Sequence, residues 1–303
     1  MPKIRNDIME AEKKDLLKLI QENFAHLSKG QKRIAEFIMN SYDKAAFMTA
    51  AKLGEKVGVS ESTVVRFANA LGFEGYPSLQ TALHELIKNK LTTVQRLSMS
   101  DDFSNKEAEG PALKKVLKSD IDNIRTTIDE IDMDMFNKVI DCIFEAKRIY
   151  IIGLRSSTSL AGYLGFYLGI ILDNVKVVSF GMSDVFEQLL RVSKDDLVIG
   201  IGFPRYSRKT LEALRYVKEQ QCKIVGITDS KVSPIASISD YTLFAKSNMA
   251  SFVDSLVAPM SLLNALIVAI GMREKNEITE YLSKLEHIWQ EFNVYDGKDK
   301  PHF

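Results

Sequence analysis

The sequence predicts two folds in one chain. An all-α helix-turn-helix domain comes first, followed by an α/β domain built on a doubly wound, five-stranded parallel sheet in a three-layer sandwich. Three observations carry this expectation. Thr49 to Phe73 reads as helix, glycine turn, helix. From Arg148 onward, five short β-branched runs alternate with helical periods, as in βαβ units. Between the two regimes, Met99–Pro111 is polar, acidic and closed by Gly-Pro, the composition of a linker.

Composition agrees with two domains. A chain of 303 residues exceeds one typical core. Its 46% apolar content excludes a disordered class. Formal net charge is +0, but residues 1–100 carry 15 Lys and Arg against 11 Asp and Glu. The first module is therefore mildly basic, which suits phosphate contact. Cys142 and Cys222 are the only cysteines, too few for a disulfide framework, and each is expected as a buried thiol. The start MPKIRNDIMEAEKKD has no apolar signal core, and the most apolar run, 252–270, is broken by Asp254, Pro259 and Asn264. Neither a secretory signal nor a membrane span is expected, and a cytoplasmic location follows.

In chain order, 13–22 reads as a short amphipathic helix. Ser28 caps the next one, with Ile34, Phe37 and Ile38 inward and Lys29, Lys32 and Arg33 outward. Thr49 is the expected N-cap of the first helix of the pair, and Leu53 and Val57 form its apolar stripe. Gly58 stops that helix in a left-handed conformation, and Ser60 is expected to cap the second. Val64, Phe67, Ala68 and Leu71 recur at i, i+3, i+4 and i+7 and make the buried face. Glu61, Ser62, Thr63 and Arg66 fall opposite. In such a pair the second helix enters the major groove N-terminus first. Thr49, Ser60, Glu61, Ser62, Thr63 and Arg66 are therefore the candidate contacts to double-stranded operator DNA. Short hydroxyls suit phosphates and base edges, and Arg66 suits a phosphate or a guanine.

Ser78–Leu91 is a further helix. Ala112–Ile128 resumes the helical period through Leu113, Leu117, Ile121 and Ile128, and Met133–Ala146 follows. Strands are expected at Arg148–Ile152, Val175–Phe180, Leu197–Ile201, Lys223–Thr228 and Tyr241–Ala245. The helices between them are Ser159–Leu172, Asp184–Val192, Lys209–Gln220 and a short one near Pro234–Ser237. Val253–Met272 and Asn276–Phe292 complete the core. Ligands bind such sheets beyond the carboxyl ends of the strands.

Two loops at those ends carry chemistry. Gly153-Leu-Arg-Ser-Ser-Thr-Ser follows the first strand and offers hydroxyls and backbone N–H groups where a helix begins, an arrangement suited to phosphate. The dinucleotide pattern GxGxxG is absent there. Gly202-Phe-Pro-Arg-Tyr-Ser-Arg-Lys-Thr follows the third strand and repeats the hydroxyls with two arginines. Two such loops facing one pocket point to a phosphorylated ligand. Thr228-Asp229-Ser230 after the fourth strand has two readings, a ligand contact or a turn.

LSKGQKRIAEFI, the helix pair and LGFEGYPSLQTAL resemble the N-terminal domain of RpiR-type bacterial transcription regulators. That resemblance implies a winged or extended helical DNA-binding module acting as a dimer. Arg148 to about Gly271 is similar to a SIS (sugar isomerase) domain. Gly153-x-x-Ser156 matches its first phosphate loop. Ser207-x-x-Thr210 matches its Ser-Gly-x-Thr loop, with Arg208 where glycine is usual. The resemblance implies a sugar-phosphate site at Gly153, Ser156, Ser157, Arg205, Ser207, Arg208 and Thr210. It also implies effector control of DNA affinity, a homodimer or homotetramer, and no cofactor, metal or catalytic residue. The expected divisions are 13–92 for the DNA-binding domain, 99–111 for the linker, 112–147 for connecting helices and 138–278 for the SIS domain. A phosphosugar isomerase-like enzyme with an appended helical domain is the alternative. Isomerases place a Glu or His by the sugar for proton transfer, and here Asp254, Glu187 and Glu280 match no such motif.

Overall fold

The computed structural model describes residues 16–46, 48–90, 109–249, 253–273 and 275–295. It divides into two compact units, Met1–Lys106 and Glu107–Phe303.

Among its described residues the first unit is all helix: α1 (Leu16–Asn23), α2 (Lys29–Ala45), α3 (Ala50–Val57), α4 (Glu61–Ala70) and α5 (Tyr76–Lys90). Ser28 begins α2 with a reciprocal capping box, accepting from Gln31 N–H while the Gln31 side chain accepts from Ser28 N–H. The core gathers Ile20, Ile34, Ile38, Leu53, Val64, Phe67, Leu79 and Leu83, all fully buried. Burying each such side chain contributes about 2 kcal/mol. The connector between α2 and α3 is held from α5. Tyr76 donates to Met48 O at 2.7 Å, and Gln80 Nε2 donates to Ala46 O and Met48 O at 3.0 Å. Burial pushes the Tyr76 hydroxyl up to about 12.

The second unit is the α/β domain. Its elements are α6 (Glu109–Glu130), α7 (Met133–Glu145), β1 (Ile149–Ile152), α8 (Thr158–Ile171), β2 (Val175–Val178), α9 (Val185–Leu189), β3 (Leu197–Ile201), α10 (Arg208–Glu219), β4 (Lys223–Thr228), β5 (Tyr241–Phe244), α11 (Val257–Arg273) and α12 (Lys275–Glu291). All strand pairs are parallel, in the order β2-β1-β3-β4-β5. Alternate residues serve opposite faces. Ile149 and Ile151 pack with α7, α8 and α11, while Tyr150 and Ile152 pack with α9 and α10. Helices on both faces make the expected three-layer sandwich.

At the amino ends of β1 and β3 the sheet is locked by an ion pair whose carboxylate is buried. Arg148 Nε and Nη2 donate to the two oxygens of Asp196 at 2.9 and 2.8 Å, and Ser193 donates twice to Asp196 Oδ2 at 2.8 Å. Burial would raise the Asp196 carboxyl, but Arg148 and Ser193 together hold it below the usual range. Cys142 and Cys222 are buried free thiols, and burial pushes Cys222 up to about 12.

Helix α6 is fastened by polar contacts. Asn123 Nδ2 donates to Asn248 O at 2.9 Å, and Asn248 N–H donates back to Asn123 Oδ1 at 3.1 Å. One turn on, Thr127 Oγ1 accepts from Lys246 N–H at 2.9 Å. Meanwhile Leu113, Leu117, Ile121 and Ile128, which carry the helical period, lie exposed.

Several boundaries differ from the sequence expectation. Gly110 and Pro111 lie in the first turn of α6, where a missing N–H is harmless, rather than closing a linker. Residues 99–108 of the expected linker lie outside the described residues. The segment near Pro234–Ser237 is a turn held by Ser237 N–H to Ser233 O and Ser239 N–H to Ile235 O. Helix α9 is only five residues long, because Leu190 and Arg191 turn back toward the Asp196 lock.

Candidate nucleic-acid face and candidate ligand pocket

The helix pair α3 and α4 is built around a tight turn. Thr49 caps α3, its Oγ1 accepting from Lys52 N–H at 3.3 Å. Gly58 ends α3 with φ 68 and ψ 45, the left-handed conformation that a side chain would strain. Val59 N–H then reaches back to Gly54 O at 2.8 Å. A Cβ on Gly54 would lie 2.7 Å from Val59 O, so glycine is required there for the two helices to close. The sequence signal for Gly54, a glycine one turn before Gly58, passes unnoticed without this distance.

Ser60 sits at the N-cap position of α4, but its side chain does not cap the helix. This corrects the expectation from sequence. The Ser60 Oγ lies 2.9 Å from both Ser62 Oγ and Thr63 Oγ1, so the hydroxyls hydrogen-bond one another. Arg66 folds back along the helix. Its Nε donates to Ser62 O at 3.2 Å and its Nη2 to Thr63 Oγ1 at 3.4 Å. Glu61, Ser62 and Arg66 are exposed and Thr63 is half-buried. Gln31 Nε2 donates to Arg66 O at 3.3 Å, so the start of α2 lies beside this face with Lys29, Lys32 and Arg33 on the same helix.

In the second unit, β1 pairs with both β2 and β3, so the strand order reverses between β1 and β3. That is the switch point where such folds hold ligands. The loop after β1 runs through Gly153, Leu154 and a short 3-10 turn, Arg155–Ser157, into α8. A Cβ on Gly153 would stand 2.8 Å from Ser157 O, so the loop needs glycine to pack against the start of α8. Arg155 adopts φ 61, a left-handed conformation rare for a non-glycine residue. Ser156 is exposed and Ser157 is buried. Neither hydroxyl caps α8, and Ser159 Oγ instead donates to Ser156 O at 2.9 Å.

The loop after β3 holds Arg205, also left-handed at φ 63, then Tyr206 and Ser207. Ser207 is the N-cap of α10, its Oγ accepting from Thr210 N–H at 3.4 Å. Arg208, in the position where glycine is usual, turns its guanidinium outward to Glu212 at 2.7 Å. Its bulk is thereby kept in solvent. Thr210 is only 1% exposed, and its Oγ1 has no hydrogen-bond partner. Next to this loop, β4 ends at Thr228, followed by Asp229 and Ser230. Tyr206 donates to Asp229 Oδ1 at 2.5 Å, and Thr228 Oγ1 donates to the same oxygen at 3.2 Å. The other carboxylate oxygen, Oδ2, and the Ser230 hydroxyl are buried without partners. The physical sign that sets Asp229 and Ser230 apart, a buried unbonded oxygen, exists only once the strands are assembled.

A cradle of hydroxyls and backbone N–H groups at the start of a twelve-residue helix suits a phosphate. Among the described residues, no group of three His, Cys, Asp or Glu is arranged to hold a metal ion, and no helix is long and apolar enough to cross a membrane.

A helix-turn-helix module and a doubly wound α/β module on one chain define a class, the two-domain transcription regulators. Residues 14–90 match the family model described as a helix-turn-helix domain of the rpiR family, and residues 142–269 match the SIS domain. The chain is a transcription regulator of the RpiR type. It is 24% identical to the HTH-type transcriptional regulator HexR of Pseudomonas aeruginosa, over 90% of this chain and 95% of that one. The sugar isomerase domain of an RpiR transcription factor from Sphaerobacter thermophilus aligns with a TM-score of 0.55 and 27% identity, covering 57% of this chain and 96% of that one. The NanR protein of Vibrio vulnificus, solved with ManNAc-6P, aligns with a TM-score of 0.56 over 93% of this chain and 100% of that one. At 20% identity, that likeness speaks for the fold.

Proposed function

We propose that this regulator binds operator DNA through the start of α4 and that a sugar phosphate in the α/β domain sets its operator affinity. The DNA contacts are Thr49, Ser60, Glu61, Ser62, Thr63 and Arg66. The effector's phosphate lies between the β1 and β3 loops, on Gly153, Ser156, Ser157, Arg205, Ser207 and Thr210, with Arg208 at the rim. The observation that carries this reading is the fully buried, unbonded Thr210 hydroxyl one turn inside α10, next to the Ser207 cap. Buried polar groups in native folds are nearly always paired, so a ligand oxygen that takes this hydroxyl's hydrogen bond fits the site. The NanR complex with ManNAc-6P supplies a fold precedent for that ligand class. The functional divisions are residues 13–92 for DNA and 138–278 for the effector, and the protein works in the cytoplasm. The exposed apolar stripe of α6 supports assembly into a homodimer or homotetramer.

The test has two steps. A thermal-shift screen of sugar phosphates should find one that raises the melting temperature, since a ligand that binds only the native state stabilises it. Operator binding is then followed by fluorescence anisotropy with and without that compound. The ligand must shift operator affinity, because it can do so only by binding two states unequally. Ser207→Ala should weaken the ligand about tenfold, the loss of one hydrogen bond to a charged group. It should leave ligand-free operator binding unchanged. A full response to ligand in Ser207→Ala would place the phosphate elsewhere.

A further inference from the structure

We propose that Asp229 reads the carbohydrate part of the effector. Its Oδ2, together with Ser230 Oγ, takes hydrogen bonds from hydroxyl or N–H groups of the sugar. The inference rests on the ligand reading above and extends it to what the pocket selects. The ligand class it names is a phosphorylated polyol or amino sugar with hydrogen-bond donors, as opposed to a simple phosphate ester.

Asp229 is 3% exposed, and a carboxylate so placed is held by partners on both oxygens in most proteins. Here both nearby hydroxyls, Tyr206 and Thr228, converge on Oδ1. Oδ2 is left with none, and Ser230 Oγ beside it in sequence is in the same state. Two unbonded groups, consecutive in sequence at one strand end, mark a place short of polar partners. The missing partner must be a donor, because an ionised carboxylate only accepts. It is also not the phosphate, whose oxygens are themselves acceptors.

The connection to the phosphate cradle is direct. Tyr206, which grips Asp229, precedes Ser207, the cap of α10. β3 and β4 run parallel in register, with Ile201 opposite Ile227, so the two loops leave the sheet side by side. One ligand with an anionic end and a donor-rich end matches both. Its phosphate meets Ser207 and Thr210, and its hydroxyls or N–H groups meet Asp229 and Ser230. Asp229 thus acts as a filter, favouring ligands that satisfy Oδ2 over inorganic phosphate.

Asp229→Asn keeps the shape and one carbonyl for Tyr206 and Thr228, but puts an NH2 where Oδ2 stood. Titration calorimetry on the full chain would use glucose 6-phosphate, fructose 6-phosphate, glucosamine 6-phosphate, N-acetylmannosamine 6-phosphate, propyl phosphate and inorganic phosphate. In the wild type the best sugar phosphate should bind at least about tenfold tighter than propyl phosphate, the effect of one charge-assisted hydrogen bond. In Asp229→Asn that gap should close, with inorganic phosphate no weaker than before. An undiminished gap in Asp229→Asn overturns the assignment, and so does an equal loss for all probes. If the variant does not fold, deoxy analogues of the best sugar phosphate on wild-type protein decide the matter. At least one missing hydroxyl should cost about tenfold, and no loss for any of them overturns the proposal. Failure of every sugar phosphate to bind would instead overturn the ligand reading itself, and this inference with it.

Discussion

At the start of α4, Ser60, Ser62, Thr63 and Arg66 are largely in solvent and already bonded to one another. At the ends of β3 and β4, Thr210 and Asp229 are buried, and each keeps one oxygen unbonded. On the proposed function, the contrast reflects what each region has to meet. A DNA-facing surface is bathed in water until the duplex arrives, so its donors exchange one weak partner for another at little cost. A buried atom is out of reach of bulk water, so a group left unbonded there destabilises the free state by about 1–3 kcal/mol. That energy returns when a ligand supplies the partner. Ligand should therefore stabilise the α/β module strongly, while the helical module gains little from its own polar groups.

The largest effect expected of this contrast lies in the Arg148–Asp196 lock. Asp196→Ala should destabilise the α/β module by about 3 kcal/mol, the low end for removing one partner of a buried pair, because Arg148 is partly exposed. Chemical denaturation followed by circular dichroism measures it. The Asp196 carboxyl lies below its usual range in the folded state, so its contribution is complete above the ordinary carboxylate pKa of about 3.9. It is lost as pH falls through the depressed folded value. The wild-type advantage over Asp196→Ala should therefore hold at neutral pH and shrink only in strong acid. An advantage that fades already between pH 7 and 5 would contradict the lock.

A middle-sized effect belongs to the exposed face. Arg66→Ala should weaken operator binding about tenfold while leaving the melting temperature of the protein nearly unchanged. If Arg66 meets a phosphate, the loss should be equal on all sequences and the salt dependence shallower. Unchanged binding at both low and physiological salt would remove α4 from the DNA interface. The smallest effect sharpens the contrast within the helical module. Thr49→Ala should cost about 1 kcal/mol of stability, because its hydroxyl caps α3. Ser60→Ala, whose hydroxyl bonds only its neighbours, should cost about 0.3 kcal/mol. Equal costs would mean that Ser60 caps α4 in solution.

What sequence could reveal follows from the range of the forces involved. The period of Val64, Phe67, Ala68 and Leu71 is local, and all four are buried as expected. The five strands announce themselves by β-branched runs between helices, and the 2-1-3-4-5 order follows the common doubly wound pattern. The exposure of Leu113, Leu117, Ile121 and Ile128 was hidden, because α6 is held by Asn123 and Thr127 through residues 246–248, more than a hundred positions away. At the pocket, Ser207 and Thr210 stand out as a motif, but the unbonded state of Thr210 and Asp229 arises from which neighbours fail to reach them. No spacing rule encodes such a failure.

The attachment of α6 also bears on which length changes the chain can tolerate. Asn123 engages both backbone groups of Asn248, and Thr127, one turn later, engages Lys246. The four-residue step along the helix is matched to a two-residue step along the extended strand exit. Loss or gain of a single residue before position 120, where Asp120 accepts from Ser255 Oγ, only lengthens or shortens the helix end. The same change between 123 and 127 rotates one anchor about 100° away from its partner. Two short stretches of chain, far apart in the gene, are thus bound to a common count, and insertions or deletions within 123–127 or 246–248 are filtered out.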